Sequence, residues 1–180
     1  SGFGFSCSEN HKGSKIIGHE PTDKPVTFQT LPWRGITKAT MEKYKCVTKV
    51  IGDTHDSIYF RYSDTMSKVR KLERKVFFIE GKRKPGLYSR DCFSPGGREL
   101  IITEGELDAK SCYQMTNGTP TVSVQSSSSA VEDIKADYEF VNSFSRIVIC
   151  FDPDDPGQKA AKAVIPMFEF NKVFNVVLQG

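Results

Sequence analysis

The chain has no CxxC pair, three histidines and a single tryptophan in 180 residues. Its five cysteines, Cys7, Cys46, Cys92, Cys112 and Cys150, are odd in number and scattered. That pattern excludes a disulfide framework and a four-cysteine zinc ribbon, and fits free thiols in a reducing cytoplasm. Cys7 and His11 form a lone C-x3-H, too few ligands for a zinc site, so no zinc is expected. No apolar run approaches the ~20 residues a spanning helix needs, so no membrane partner is expected. There is no GxxxxGK[ST] tract, which excludes a P-loop motor within these residues. No internal repeat is visible.

What is present is charge, unevenly placed. The net charge is +3. Residues 1–98 carry 19 Lys and Arg against 10 Asp and Glu, a balance of +9, whereas residues 99–180 carry 6 against 12, a balance of −6. A basic half joined to an acidic half suits phosphate binding beside metal binding, although a charged face can also be merely solvated.

Residues 1–30 are polar and interrupted by Gly13, Gly18, Pro21 and Pro25, and read as a linker. Residues 31–46 hold a short helix with Thr37 as N-cap and Met41 and Tyr44 on one face. Residues 57–62, 67–72 and 75–79 read as strands, with a turn at Ser63-Asp64. From Arg98 the pattern becomes strand (100–103), helix (106–116), strand (120–124), helix (129–142), strand (147–151), helix (156–169), strand (173–178). Ser129 and Glu132 are spaced as a capping box. The alternation predicts an α/β domain, a parallel four-stranded sheet flanked by helices, over residues 98–180. A small basic α+β subdomain, residues 31–97, precedes it.

Two acidic groups follow strands directly: Glu104-Gly105-Glu106-Leu107-Asp108 and Asp152-Pro153-Asp154-Asp155-Pro156-Gly157. Open parallel sheets bind ligands at the carboxyl ends of their strands. Asp152 and Asp154, two apart in extended chain, can leave one face, and Glu104 and Asp108, four apart, can share a face if the helix starts early. Carboxylates this close repel one another, and a hard divalent cation relieves the repulsion. Taken singly, each reads as a solvated loop residue. Asp155 before Pro156 reads as a helix cap, with a direct metal role as the alternative.

These tracts resemble the EGxxD and DxD signatures of the Toprim fold, and DxDxxGxKA resembles its primase branch. Arg34-Gly35-Ile36-Thr37, Phe60-Arg61-Tyr62 with Ser67-Lys68-Val69-Arg70, and Gly86-Leu87-Tyr88 resemble blocks of the primase half of bacteriophage primase–helicases. The resemblance runs from about residue 31 to 180. It implies a DNA primase core that copies single-stranded DNA into RNA primers from ribonucleoside triphosphates. Mg²⁺ or Mn²⁺ would be held among Glu104, Asp108, Asp152 and Asp154, and a helicase domain would follow in the same longer protein. Glu104, Asp152 and Asp154 would be the catalytic carboxylates. Lys68, Arg70, Arg74 and Lys75 would contact nucleotide or template phosphates. For a phage protein the location would be the host cytoplasm.

Three departures qualify this picture. Phe3-Gly4-Phe5-Ser6-Cys7 looks like the last piece of a zinc ribbon with Gly4 at a cysteine position. The loop after the second strand of the acidic half is Gln125-Ser126-Ser127-Ser128-Ser129 rather than glycine-rich. A further acidic motif is expected beyond Gly180. The chain alone is therefore expected to be a weak or inactive primase. The alternative is a non-catalytic primase-like module that grips single-stranded DNA for a replicative helicase.

Overall fold

The computed structural model describes residues 26–74 and 76–177. The ribbon-like tract around Cys7, most of the linker, Lys75 and the final Leu178–Gly180 lie outside the described residues. Two sheets organise the rest. The first is antiparallel, in the order β1 (Val26–Thr27), β2 (Val47–Ile51), β3 (Thr54–Ser63), β4 (Met66–Lys71) and β5 (Val76–Gly81). Helix α1 (Lys38–Lys43) starts where expected: the Thr37 hydroxyl accepts from the Thr40 N–H at 3.3 Å. Met41 and Tyr44 turn their shared face into the core. The sequence pattern missed β1 and β2, because Lys49 interrupts the apolar alternation of β2. β2 earns its place by pairing with β3 rather than by burying a face.

The second sheet is parallel, in the order β7-β6-β8-β9. Its elements are β6 (Gly97–Thr103), α2 (Glu106–Met115), β7 (Thr121–Ser123), α3 (Ala130–Ala136), α4 (Tyr138–Asn142), β8 (Phe144–Cys150), α5 (Asp155–Val164) and β9 (Val173–Asn175). Ile147, Val148 and Ile149 of β8 are all buried, as a central strand covered on both faces requires. The stretch expected as one helix over 129–142 is broken at Asp137, whose carboxylate instead accepts from the Leu87 N–H at 2.7 Å. Ser129 does not cap with its side chain; its hydroxyl donates to Asp133 at 2.8 Å. α5 ends at Val164 and tightens into a 3₁₀ turn, Ile165–Met167, because Pro166 has no N–H to continue it.

Two cores hold these layers. One lies between the parallel sheet and α3–α5 and is built on Leu100, Ile102, Val122, Ile147 and Ile149. The other joins Leu31, Ile36, Met41, Ile58 and Phe60 to Leu107 and Ala109 of α2. Helix α2 is therefore common to both layers: it crosses the parallel sheet and carries the antiparallel sheet on its far side. Tyr44 fixes that junction by donating its hydroxyl to the Thr121 carbonyl at 2.8 Å. Among the described residues no helix is long and apolar enough to cross a membrane.

Candidate metal and phosphate site

β6 and β8 are hydrogen-bonded neighbours, with Thr103 opposite Cys150. Glu104 and Asp152 therefore leave the carboxyl edge of the sheet side by side. The Asp152 N–H donates to Glu104 Oε2 at 3.3 Å. Gly157 closes against both: a Cβ there would stand 2.8 Å from Glu104 Oε2. Gln158 donates its side-chain N–H to the Asp152 carbonyl at 3.0 Å, which fixes the loop.

The expected cap at Asp155 is displaced by one residue. Asp154 is the N-cap of α5, its Oδ1 accepting from the Gly157 N–H at 2.9 Å, and Asp155 is the first helical residue. One oxygen of Asp154 is thus committed to the helix. Asp108, in the first turn of α2, faces Arg34, with Nη2 to Oδ1 at 3.7 Å.

Burial, with the charges of Asp152 and Asp154, pushes the Glu104 carboxyl above its ordinary pKa, against the bond from the Asp152 N–H and the nearby Ser127 hydroxyl. Burial also raises Asp108, helped by Asp152 and Glu106 and opposed by Arg34 and Arg70. Mutually repelling, half-desolvated carboxylate oxygens are a donor set that suits Mg²⁺ or Mn²⁺. Among the described residues, however, no three His, Cys, Asp or Glu side chains converge as a ready-made metal cluster. The set fits a hard cation that takes one or two carboxylates and completes its shell with water and phosphate.

Facing this edge is the antiparallel sheet. Lys68 and Arg70 lie opposite Phe60 and Ile58 and so share the face that looks at α2. Their environments differ. Lys68 is engaged: its Nζ lies 2.7 Å from Glu106 Oε1 and donates to the Gln125 carbonyl at 2.9 Å. Glu106 also accepts from the Tyr62 hydroxyl at 2.7 Å. Arg70 has its guanidinium 5.5 Å from the centre of the Phe77 ring and lies within the field of Asp108. Arg74 is exposed in the turn after β4.

Three residues of the site, Arg34, Glu106 and Gln125, stood within motifs of the sequence but were given no role there. Arg34 is aimed at Asp108 because a 3₁₀ turn, Pro32–Arg34, ends on Gly35 in the left-handed region at φ 65°. Gln125 belongs to the serine-rich loop and is held by Asp133, which is fully buried and accepts from the Gln125 N–H at 2.9 Å.

Residues 101–179 match the Toprim-like family model. The chain is 28% identical over 175 residues to the DNA helicase/primase of Enterobacteria phage T3, covering 92% of this chain and 31% of that protein. It is 31% identical over 148 residues to a Twinkle homolog protein, chloroplastic/mitochondrial, of Arabidopsis thaliana, covering 73% of this chain and 21% of that protein. The primase fragment of the bacteriophage T7 primase-helicase superposes with a TM-score of 0.78 at 26% identity, covering 91% of this chain and 74% of that one. The chain spans about a third or less of the curated relatives it matches.

Proposed function

Since residues 101–179 are a Toprim-like domain in a chain homologous to phage helicase/primases, we propose that it is the RNA-polymerase core of a replicative primase. Its reaction is template-directed synthesis of a short RNA on single-stranded DNA from ribonucleoside triphosphates. The observation that carries this reading is the pairing of Glu104 with the Asp152 loop at the sheet edge, across from Arg34 and Arg70. A helicase domain in the same longer protein is the natural partner.

Glu104 and Asp152 would hold Mg²⁺ or Mn²⁺, with Asp108 and the free oxygen of Asp154 assisting. The ion, when bound, supplies activation of the 3′-hydroxyl and stabilisation of the leaving pyrophosphate. The chain's own residues do the positioning. Arg34, set against Asp108, offers its guanidinium group to the triphosphate. Lys68 acts through Glu106, holding the basic sheet at a fixed distance from the acidic edge. Of the serines after Gln125, Ser127 lies beside Glu104, while Ser126, Ser128 and Ser129 bond within the loop and to Asp133. In the chemical step the 3′-oxygen forms a bond to the α-phosphorus, the bond to pyrophosphate breaks, and the hydroxyl proton leaves to solvent.

The test is labelled dinucleotide formation on single-stranded DNA with Mg²⁺ or Mn²⁺, by this chain and by the longer protein that contains it. Activity of the longer protein that disappears with Glu104→Gln supports the reading. A second reading, a non-catalytic grip on single-stranded DNA, draws on the dispersed carboxylates and the engagement of Lys68. Single-stranded DNA binding by a folded longer protein that makes no dinucleotide would favour it.

A further inference from the structure

Beside the acidic edge lies an open pocket of about 470 Å³, lined by Trp33, Asp53, Thr54, His55, Arg70 and Leu72. Its size is that of a small-molecule site. Trp33 is half exposed, a costly placement for an indole unless something covers it. Its ring meets the His55 imidazole edge-on, with centroids 4.9 Å apart at 72°. Two polar atoms of the lining are buried and, among the described residues, have no hydrogen-bond partner: His55 Nδ1 and Arg70 Nε. Buried unpaired polar atoms are rare, and both of these belong to side chains that line the pocket. The pocket adjoins the acidic edge, because Arg34 follows Trp33 in the chain and reaches Asp108.

From this juxtaposition of an exposed indole, two unpaired buried donor or acceptor atoms and an adjoining guanidinium, we propose that the pocket binds a nucleobase. Trp33 stacks on the face of the base, Arg70 and His55 read its edge, and its phosphate extends past Arg34 towards Glu104. A nucleobase is planar, with a π face for the indole and an edge of hydrogen-bonding atoms for the guanidinium and imidazole. The base belongs either to an incoming ribonucleoside triphosphate or to single-stranded DNA. The inference rests on the reading of the acidic edge as a nucleotidyl-transfer site, and adds a base-binding role for Trp33 and His55.

Trp33 is the only tryptophan, so its emission reports on this pocket directly. The protein is titrated, with Mg²⁺ present, with each of the four ribonucleoside triphosphates, inorganic triphosphate, a single-stranded DNA oligonucleotide and an abasic oligonucleotide of equal length. Saturable quenching by a nucleoside triphosphate or by the intact oligonucleotide is expected, and which of them quenches identifies the source of the base. Inorganic triphosphate and the abasic strand should leave the emission unchanged. Calorimetry should then show that Trp33→Ala and His55→Ala weaken that ligand about tenfold, with Trp33→Phe close to wild type. Unchanged thermal unfolding of these variants separates lost stacking from lost fold. Binding of nucleotide or DNA with silent Trp33 emission and unaltered affinity in Trp33→Ala would overturn the base pocket and leave the reading of the acidic edge standing. Equal quenching by inorganic triphosphate would do the same. No binding of any nucleotide or oligonucleotide would overturn both.

Discussion

Lys68 Nζ stands 2.7 Å from Glu106 Oε1 with side chains only 19% and 5% exposed, so the pair joins the basic sheet to the acidic domain in a largely dry setting. Removing one partner of such a pair strands the other. Lys68→Ala should lower stability by about 3 kcal/mol, the Tyr62 hydroxyl leaving Glu106 partly satisfied. The double variant Lys68→Ala/Glu106→Gln should recover much of that loss, because no charge is left behind. Urea unfolding of the wild type, the two single variants and the double variant gives the coupling directly. Additive losses would show that the pair is not a unit.

Metal affinity should depend on the loop rather than on acidic residues in general. Titration with Mn²⁺ is expected to show Asp152→Asn and Glu104→Gln weakened about tenfold or more, equivalent to about 1.4 kcal/mol. Asp155→Asn should match the wild type, since Asp155 is the first residue of α5 behind the Asp154 cap. Affinity should rise when a nucleoside triphosphate supplies part of the shell. Equal Mn²⁺ affinity in the wild type and Asp152→Asn would remove the carboxylates from the metal role.

The sequence made the parallel layer legible because β8 is apolar without alternation and because Glu104 and Asp152 follow strands directly. Strand adjacency was not legible: that β6 and β8 are neighbours, and so bring Glu104 against the Asp152 N–H, depends on sheet order rather than on any local signal. The strand that carries Lys68 and Arg70 was legible, but the different partners of the two side chains were not. Glu106, 38 positions away in sequence, takes Lys68 and leaves Arg70 for the pocket. The cap was misplaced by one residue because Asp154 and Asp155 both precede Pro156 suitably, and only the bond to the Gly157 N–H decides between them.

Lys110 should give a pH signature. It is fully buried on α2, its Nζ donating to the Tyr88 hydroxyl at 2.8 Å and lying 4.8 Å from the centre of the Phe60 ring. Burial, against nearby Cys46 and Glu106, lowers its pKa from the ordinary lysine value. The unfolded chain keeps the proton until about pH 10.4, whereas the folded chain releases it earlier. Between those two values the unfolded state binds more protons, so stability rises with pH. Lys110→Met removes the effect. The stability of the wild type minus that of Lys110→Met should therefore climb with pH through this window and be level below it. A difference that stays level up to pH 10 would mean that the ammonium is not destabilised by its surroundings.

Binding of single-stranded DNA should be steeply salt-dependent if the basic sheet tracks phosphates, since each contact releases a counterion. The structure separates the cations that can contribute. Arg74 is exposed after β4 and Arg70 forms no ion pair among the described residues, whereas Lys68 is already neutralised by Glu106. Arg70→Ala and Arg74→Ala are each expected to flatten the slope of log affinity against log salt by about one contact. Lys68→Gln, measured well below its unfolding temperature, should leave the slope unchanged and alter affinity only through the placement of the basic sheet against the acidic edge. Fluorescence anisotropy of a labelled oligonucleotide from low to moderate salt distinguishes these outcomes. A slope reduced by Lys68→Gln and untouched by both arginine variants would mean that DNA breaks the Lys68–Glu106 pair on binding, and that the phosphate path runs through the cleft rather than along β4.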